Sequence, residues 1–169
     1  TPWNLPLYLA TWKLAPALAQ GNTVLLKPAE LTPLTATAFG DICNQAGLPP
    51  GVVNVIHGFG AASAGQAIVS HPEIKAISFT GETLTGSAIM KDAAPHLKKL
   101  SFELGGKGAS VIFADADLDK AAAIAARAAF RNQGQICLAG SRLIVEKSVA
   151  EKVVTKIKEH IDNIKIGDP

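Results

Sequence analysis

Disulfides, aromatic platforms and membrane spans all lack raw material in this chain. Its 169 residues include two cysteines, one methionine, one tyrosine, two tryptophans and six phenylalanines. Cys43 and Cys137 alone cannot form a disulfide framework, and no cysteine or histidine pair has the spacing of a zinc site. The four histidines, His57, His71, His96 and His160, are far apart. Both thiols are therefore read as free, and no metal is assigned. Apolar stretches such as Ala121 to Ala126 and Val111 to Ala114 are far shorter than the roughly 18 to 20 residues a membrane span needs. Charge of one sign is missing as well: 16 Lys plus Arg stand against 14 Asp plus Glu, a net +2, and the basic residues are scattered apart from Lys98-Lys99. A nucleic-acid partner is thus not expected. No segment has the layout of a secretion signal, so a soluble, cytoplasmic protein is expected.

What is present is small, apolar and alternating, with 48% hydrophobic residues. Leu7 to Ala19 predicts an apolar helix kinked at Pro16 and ended by Gly21. Val24 to Leu26 predicts a short buried strand. A second helix is expected through Gln45, with Thr32 as its cap and Pro33 in its first turn. Strands are predicted at Val52 to Ile56, Ala76 to Phe79 and Leu100 to Leu104. Helices are predicted at Ala61 to Ser70 and Thr83 to Ala93. Such alternation is the signature of an α/β fold, a Rossmann-like open, mostly parallel sheet with helices on both faces, in which ligands bind beyond the carboxyl ends of strands. Lys27, Gly58 and Thr80 each follow or close a predicted strand. A hinge at Gly105-Gly106 separates residues 1–105 from 106–169. The latter should form a strand at Ser110 to Phe113, an Ala-rich helix over Leu118 to Arg131 capped by Asp115 or Asp117, a Gln133 to Cys137 loop, a strand at Arg142 to Val145 and an amphipathic helix at Val149 to Ile164.

Three side chains stand out chemically. Cys137 sits in the loop Gly134-Gln135-Ile136-Cys137, where functional side chains are commonly placed, whereas Cys43 lies inside a helix as a small buried hydrophobe. A thiolate adds readily to an aldehyde, and the adduct gives up hydride because the product thioester is stable yet still activated. Glu103 lies in Glu103-Leu104-Gly105-Gly106-Lys107 between apolar neighbours. A carboxylate in a partly dry cleft accepts a proton from water; a salt-bridged structural glutamate is the alternative. Asn4, in Pro2-Trp3-Asn4, carries a side-chain amide suited to an oxyanion, or is simply a turn residue before Pro6.

These motifs, with Lys27-Pro28-Ala29-Glu30 and Phe79-Thr80-Gly81-Glu82-Thr83, occur in one order, base and nucleophile 34 positions apart (137 − 103). In this the chain resembles the NAD(P)-dependent aldehyde dehydrogenase family along nearly its whole length. The resemblance implies oxidation of a small-molecule aldehyde to a carboxylic acid through a thioester on Cys137. Asn4 and the Cys137 amide would hold the oxyanion, and Glu103 would activate water. It implies that residues 1–105 are part of an NAD-binding domain and 106–169 the beginning of a catalytic domain. The longer protein would be a homodimer or homotetramer, of which this chain is an internal piece, poorly soluble and inactive alone because its apolar faces are uncovered.

The cofactor-binding residues implied are Trp3, Lys27, Glu30, Gly60, Thr80, Gly81, Glu82, Gly86, Leu104 and Gly105. Lys27 and Glu30 would contact the adenosine ribose; read by themselves they are an exposed ion pair. A carboxylate accepts from a ribose 2′-hydroxyl but repels a 2′-phosphate, so NAD is expected over NADP. The turn from Gly81 to Gly86 would offer amides and a helix dipole to the pyrophosphate. Glu82 and Gly108 depart from the family, which often has Ser at the first and Asn or Ser at the second. Glu82 is therefore expected to contribute its amide and turn its carboxylate away. Leu5, Tyr8, Leu9 and Trp12 are candidates for one wall of a substrate tunnel, with Ile136 and Leu138 beside the nucleophile. Two alternatives stay open: a member that passes the acyl group to coenzyme A, and a catalytically silent dinucleotide-binding or structural relative.

Overall fold

Parallel strands cannot be joined by a tight hairpin, so each pair needs a crossover, and helices fall where the crossovers are. The computed structural model, which describes residues 1–168, holds three such strand–helix–strand segments in succession. They are β1 (Val24–Leu26), α2 (Leu34–Gln45) and β2 (Val53–Val55); then β3 (Ala76–Gly81), α4 (Thr83–Ala93) and β4 (Lys99–Leu104); then β5 (Ala109–Ile112), α5 (Leu118–Phe130) and β6 (Arg142–Val145). Helix α1 (Pro6–Ala19) precedes the first segment, α3 (Ala64–Ser70) links the first to the second, and α6 (Ala150–Ile161) follows the third. The chain divides into two units, residues 1–104 and the residues from Gly105 onward.

In the first unit two apolar clusters hold the elements. Ala10 and Leu14 of α1 meet Leu26 and Ala36, with Phe39 and Val55 packed against them. Val69, Ile89 and Ala93 meet Ile77, Phe79, Leu100 and Phe102, and the Phe79 and Phe102 rings stand edge to face at 6.3 Å. Alternation along a strand decides which residues those are. β3 and β4 run parallel with Ser78 opposite Ser101 and Thr80 opposite Glu103. Ile77, Phe79, Leu100 and Phe102 therefore share the face turned to α4, while Ser78, Thr80, Ser101 and Glu103 share the other. Lys98 enters this unit as a buried cation, donating to the carbonyls of His71 and Ile74. Burial pushes its ammonium below its usual pKa, and Lys75 adds to this. It ties the end of α3 to the start of β4.

The second unit is built on the β5–β6 pair, parallel from Ala109 opposite Arg142 to Ile112 opposite Val145. Ile112, Ala125 and Val153 form its core, with Leu118, Val145 and Ile157 packed against them. Asp117 caps α5 by accepting from the Lys120 amide at 3.2 Å, which decides between the two expected caps. Lys156 of α6 pairs with Asp119 of α5.

The mixed α/β class with parallel strands is as expected, with local differences. Among the described residues the strands form three separate two-stranded ladders rather than one continuous sheet. Within the first unit an open cleft of about 1760 Å³ is lined by residues of both β1 and β3. Thr32 does not cap α2. Pro33 holds that position without a side-chain bond, and the helix start is instead braced by Thr37, whose hydroxyl donates to the Pro33 carbonyl at 3.1 Å. Helix α3 begins at Ala64, later than its small residues suggest, because Ala62 takes a left-handed conformation at φ 51°. α1 runs through Pro16 without interruption.

The start of α3 lies directly on the Gly60 loop, with the Gln66 amide donating to the Gly60 carbonyl at 2.8 Å. A Cβ at Gly65 would come within 2.8 Å of Gly60 Cα and 2.9 Å of its carbonyl oxygen. Helix propensity alone makes Gly→Ala a gain of about 1 kcal/mol, whereas overpacking against backbone costs about 1–3 kcal/mol. Gly65→Ala is therefore expected to lower the unfolding free energy of the full-length protein in a denaturant titration. A stabilised variant would contradict the close approach.

Candidate active site

Along β1 the chain ends its strand at Leu26 and turns at once through Lys27, Pro28, Ala29 and Glu30. The Lys27 ammonium donates to the Glu30 carboxylate at 3.0 Å and to the Pro28 carbonyl at 3.0 Å. A hydrogen bond from its own backbone, and then the one from Lys27, hold the Glu30 carboxyl below the usual carboxylate range. Its folded pKa is depressed, so the stabilisation these contacts give is present above the ordinary value and is lost as pH falls through the lower folded one. Glu30 thus stays an anion across the neutral and mildly acid range.

The cleft between β1 and β3 gathers much of the expected cofactor set. Trp3, Lys27 and Glu30 line it on one side, with Gly60 of the loop after β2; Thr80, Gly81 and Glu82 line it where β3 passes into α4. Thr80 is buried at 5% exposure, and among the described residues its hydroxyl has no hydrogen-bond partner. A buried hydroxyl without a partner costs free energy, so a polar ligand in the cleft is the natural complement of that site. Glu82 is the extended residue preceding α4 and its side chain does not fold back on the helix. That leaves the amides of the first turn facing outward. These features suit a dinucleotide: carboxylate and ammonium for a ribose, helix amides for phosphate. Gly86 is buried in α4 against the Leu104 side chain, and neither lines the cleft. Gly105 is exposed and belongs to the second unit.

Asn4 is half-buried two residues before α1. Glu103 lies on β4 at the penultimate position, where it is exposed. A partly dry setting is expected for it from its apolar neighbours Phe102 and Leu104. In the first unit those neighbours turn to the α4 face and Glu103 to the opposite one, so the same alternation that buries them exposes it. Of the candidate tunnel wall, Tyr8 and Trp12 are exposed and stand edge to face at 5.5 Å, but Leu9 is buried in the core. The helix period brings Leu9 inward with Ala10.

Cys137 is half-buried in a tight turn of the second unit, in which the Ala139 amide donates to the Ile136 carbonyl at 3.0 Å. The approach to that turn is strained. Asn132, Gln133 and Gly134 take left-handed conformations in succession, at φ 53°, 60° and 72°. Asn and Gly visit this region readily, Gln does not. Non-glycine residues held there persist only where the surroundings over-determine them, and they cluster at functional sites. Cys43, by contrast, is buried in α2. Among the described residues no group of three or more His, Cys, Asp or Glu side chains could hold a metal ion. No helix there is long and apolar enough to cross a membrane.

Sequence reasoning passed over Lys13 and Ser78. Lys13 is the one charged residue of the apolar α1 segment, which was the available signal, and its ammonium donates to the Ser78 hydroxyl at 3.2 Å.

Gly134 closes the left-handed run, and a Cβ there would also sit 3.2 Å from the Ala129 carbonyl oxygen. Gly134→Ala is expected to destabilise the full-length protein by about 1–2 kcal/mol, the cost of placing an L side chain in that conformation. Chemical denaturation checks this, and an unchanged midpoint would mean that the loop relaxes without strain.

Comparison with known proteins gives a consistent picture. The model of the aldehyde dehydrogenase family matches residues 1–169. The chain is 52% identical to a 2-hydroxymuconic semialdehyde dehydrogenase from a Pseudomonas strain, over all of this chain and 35% of that protein. It superposes on the crystal structure of HpcC from Thermus thermophilus with a TM-score of 0.96 at 51% identity, covering all of this chain and 33% of that one. It also superposes on an aldehyde dehydrogenase from Pseudomonas syringae complexed with NAD+ and octanal, with a TM-score of 0.95 at 43% identity, covering 99% of this chain and 34% of that one. The chain thus spans about a third of the length of the relatives it matches. By the match of the family model along its whole length, this chain belongs to the aldehyde dehydrogenase family.

Proposed function

We propose that the full-length protein oxidises a small aldehyde to its carboxylic acid with NAD as hydride acceptor, Cys137 being the nucleophile. The Cys137 thiolate adds to the carbonyl carbon, and the Asn4 side-chain amide and the Cys137 backbone amide donate to the oxyanion that forms. The residues of the β1–β3 cleft would hold NAD, which would supply the acceptor for the hydride on that carbon. Glu103 then accepts a proton from water as it attacks the thioester, and the thiolate leaves with the carboxylate product free. Hydrolysis is favoured over transfer to coenzyme A because a carboxylate for activating water is retained at Glu103.

The observation that carries this reading is the left-handed Asn132-Gln133-Gly134 run leading into Cys137, strain of the kind that accumulates where a side chain must be presented. The β1–β3 cleft supports the cofactor assignment, with residues 1–105 as part of the NAD-binding domain and 106–169 as the start of the catalytic domain. Lys27 and Glu30 would hold the ribose, Thr80 and the first turn of α4 the polar groups beyond it, with Trp3, Gly60 and Gly81 lining the same cleft. Semialdehydes are the first substrates to try, since a relative at 52% identity is named for one. A cytoplasmic homodimer or homotetramer completes the reading.

Two outcomes check it. Cys137→Ala in the full-length enzyme should abolish NADH formation while NAD binding persists, and Glu103→Gln should keep the NADH burst but slow steady-state turnover. Retained turnover in the first, or an unchanged rate and burst in the second, would remove the assigned role. Glu30→Gln should narrow the preference for NAD over NADP by about tenfold, on the order of one charge–charge interaction of 1.4 kcal/mol. An unaltered ratio of kcat/KM values would show that Glu30 does not read the 2′ position.

A further inference from the structure

Strands β1 and β2 end side by side, Leu26 opposite Val55, about 4.8 Å apart as ladder partners are. Beyond them the chain must part to leave room for a ligand. From β1 comes the turn of Lys27 and Glu30, from β2 the loop that reaches Gly60, and both line the cleft. How far the two diverge decides how closely these walls fit what lies between them.

A side-chain strap joins them past the end of the ladder. The Ile56 amide donates to the Leu26 carbonyl at 2.9 Å, and the next residue, His57, brings its Nε2 to 3.2 Å from Thr37 Oγ1. Thr37 stands near the start of α2, the helix that follows the Lys27 to Glu30 turn. Its single hydroxyl hydrogen goes to the Pro33 carbonyl at 3.1 Å, so towards the ring its oxygen accepts and the imidazole N–H is the donor. After His57 the loop is fastened to α3. Gly58 has φ 147°, and a Cβ there would come within 2.8 Å of the Ala64 Cβ. The Phe59 amide donates to the Ser63 hydroxyl at 3.2 Å, and the Gly65 amide to the Phe59 carbonyl at 2.9 Å. The loop is thus bonded to α3 along its length, and the His57 bond ties that assembly to the start of α2. Neither His57 nor Thr37 lines the cleft itself.

We propose that His57 and Thr37 are a positioning pair for the cofactor: their hydrogen bond fixes the spacing between the Glu30 turn and the Gly60 loop, and with it the fit of the cleft to NAD. This deepens the reading of the β1–β3 cleft as the NAD site and rests on it. The pair acts through the two walls and touches no reacting atom.

The test measures the Kd for NAD by calorimetric titration of the full-length enzyme, together with kcat and the KM values for NAD and aldehyde. His57→Ala and Thr37→Val should each raise the Kd and KM for NAD about threefold, the effect of losing one exposed hydrogen bond. The kcat at saturating NAD and the KM for aldehyde should stay as in the wild type, whereas a merely loosened fold would lower the active fraction and leave the KM for NAD alone. The double variant should lose no more than either single one, because both changes remove the same bond. His57→Gln, whose side-chain amide is also a donor, should recover the wild-type affinity. Thr37→Val also removes the brace on Pro33, so the His57 variants decide. Lys27→Met, altered in the cleft itself, is the reference and should weaken NAD binding. Wild-type affinity in His57→Ala beside weakened binding in Lys27→Met overturns the pair and leaves the cofactor site in place. Wild-type affinity in both overturns the site and the pair with it, and losses that multiply in the double variant overturn the pairing.

Discussion

Parallel strand pairing is the constraint on which the rest of this structure depends. A parallel ladder requires a crossover, so the strands of each pair point the same way and their carboxyl ends emerge together. In the first unit this sends the Lys27 to Glu30 turn, the Gly60 loop and the Thr80–Gly81 segment out of strand ends, and all three reach one cleft. A strand's interior backbone is engaged in the ladder, whereas the turn and helix start beyond it have amides and side chains to offer.

Within the β3–β4 pair the same regularity sorts residues by face with no further instruction. Odd and even positions part, so the aromatic and branched residues close on α4 while two serines, a threonine and a glutamate line up opposite. A carboxylate on such a face is rigidly placed by the strand. The Lys13 ammonium donates to Ser78 of that polar row.

Much of this was readable from residues alone, and the failures have physical causes. β1, α4 and β6 carry dense apolar or branched runs between clear punctuation, and their sequence-based bounds agree with the structure closely. Thr32 looks like a cap because of its type and its proline neighbour, but capping depends on backbone angles that Pro33 dictates. The late start of α3 is set by the left-handed Ala62, a conformation no alanine advertises. Which strands pair is a long-range matter that strand propensity does not encode. Glu103 reads as partly dry because its neighbours in sequence are apolar; its neighbours in space are set by a period of two. The strain before Cys137 was half legible, in Asn132 and Gly134, and hidden at Gln133.

The central claim is that the sulfur of Cys137 carries the acyl group during turnover. It is tested most directly by acid-quenching the full-length enzyme during oxidation of an aldehyde with NAD and locating the covalent acyl mass on its peptides. The account predicts an adduct of the acyl group on the peptide containing Cys137, and none on the peptide containing Cys43. Continued turnover with the Cys137 peptide unmodified at every quench time, or with the acyl group bound elsewhere, would contradict it.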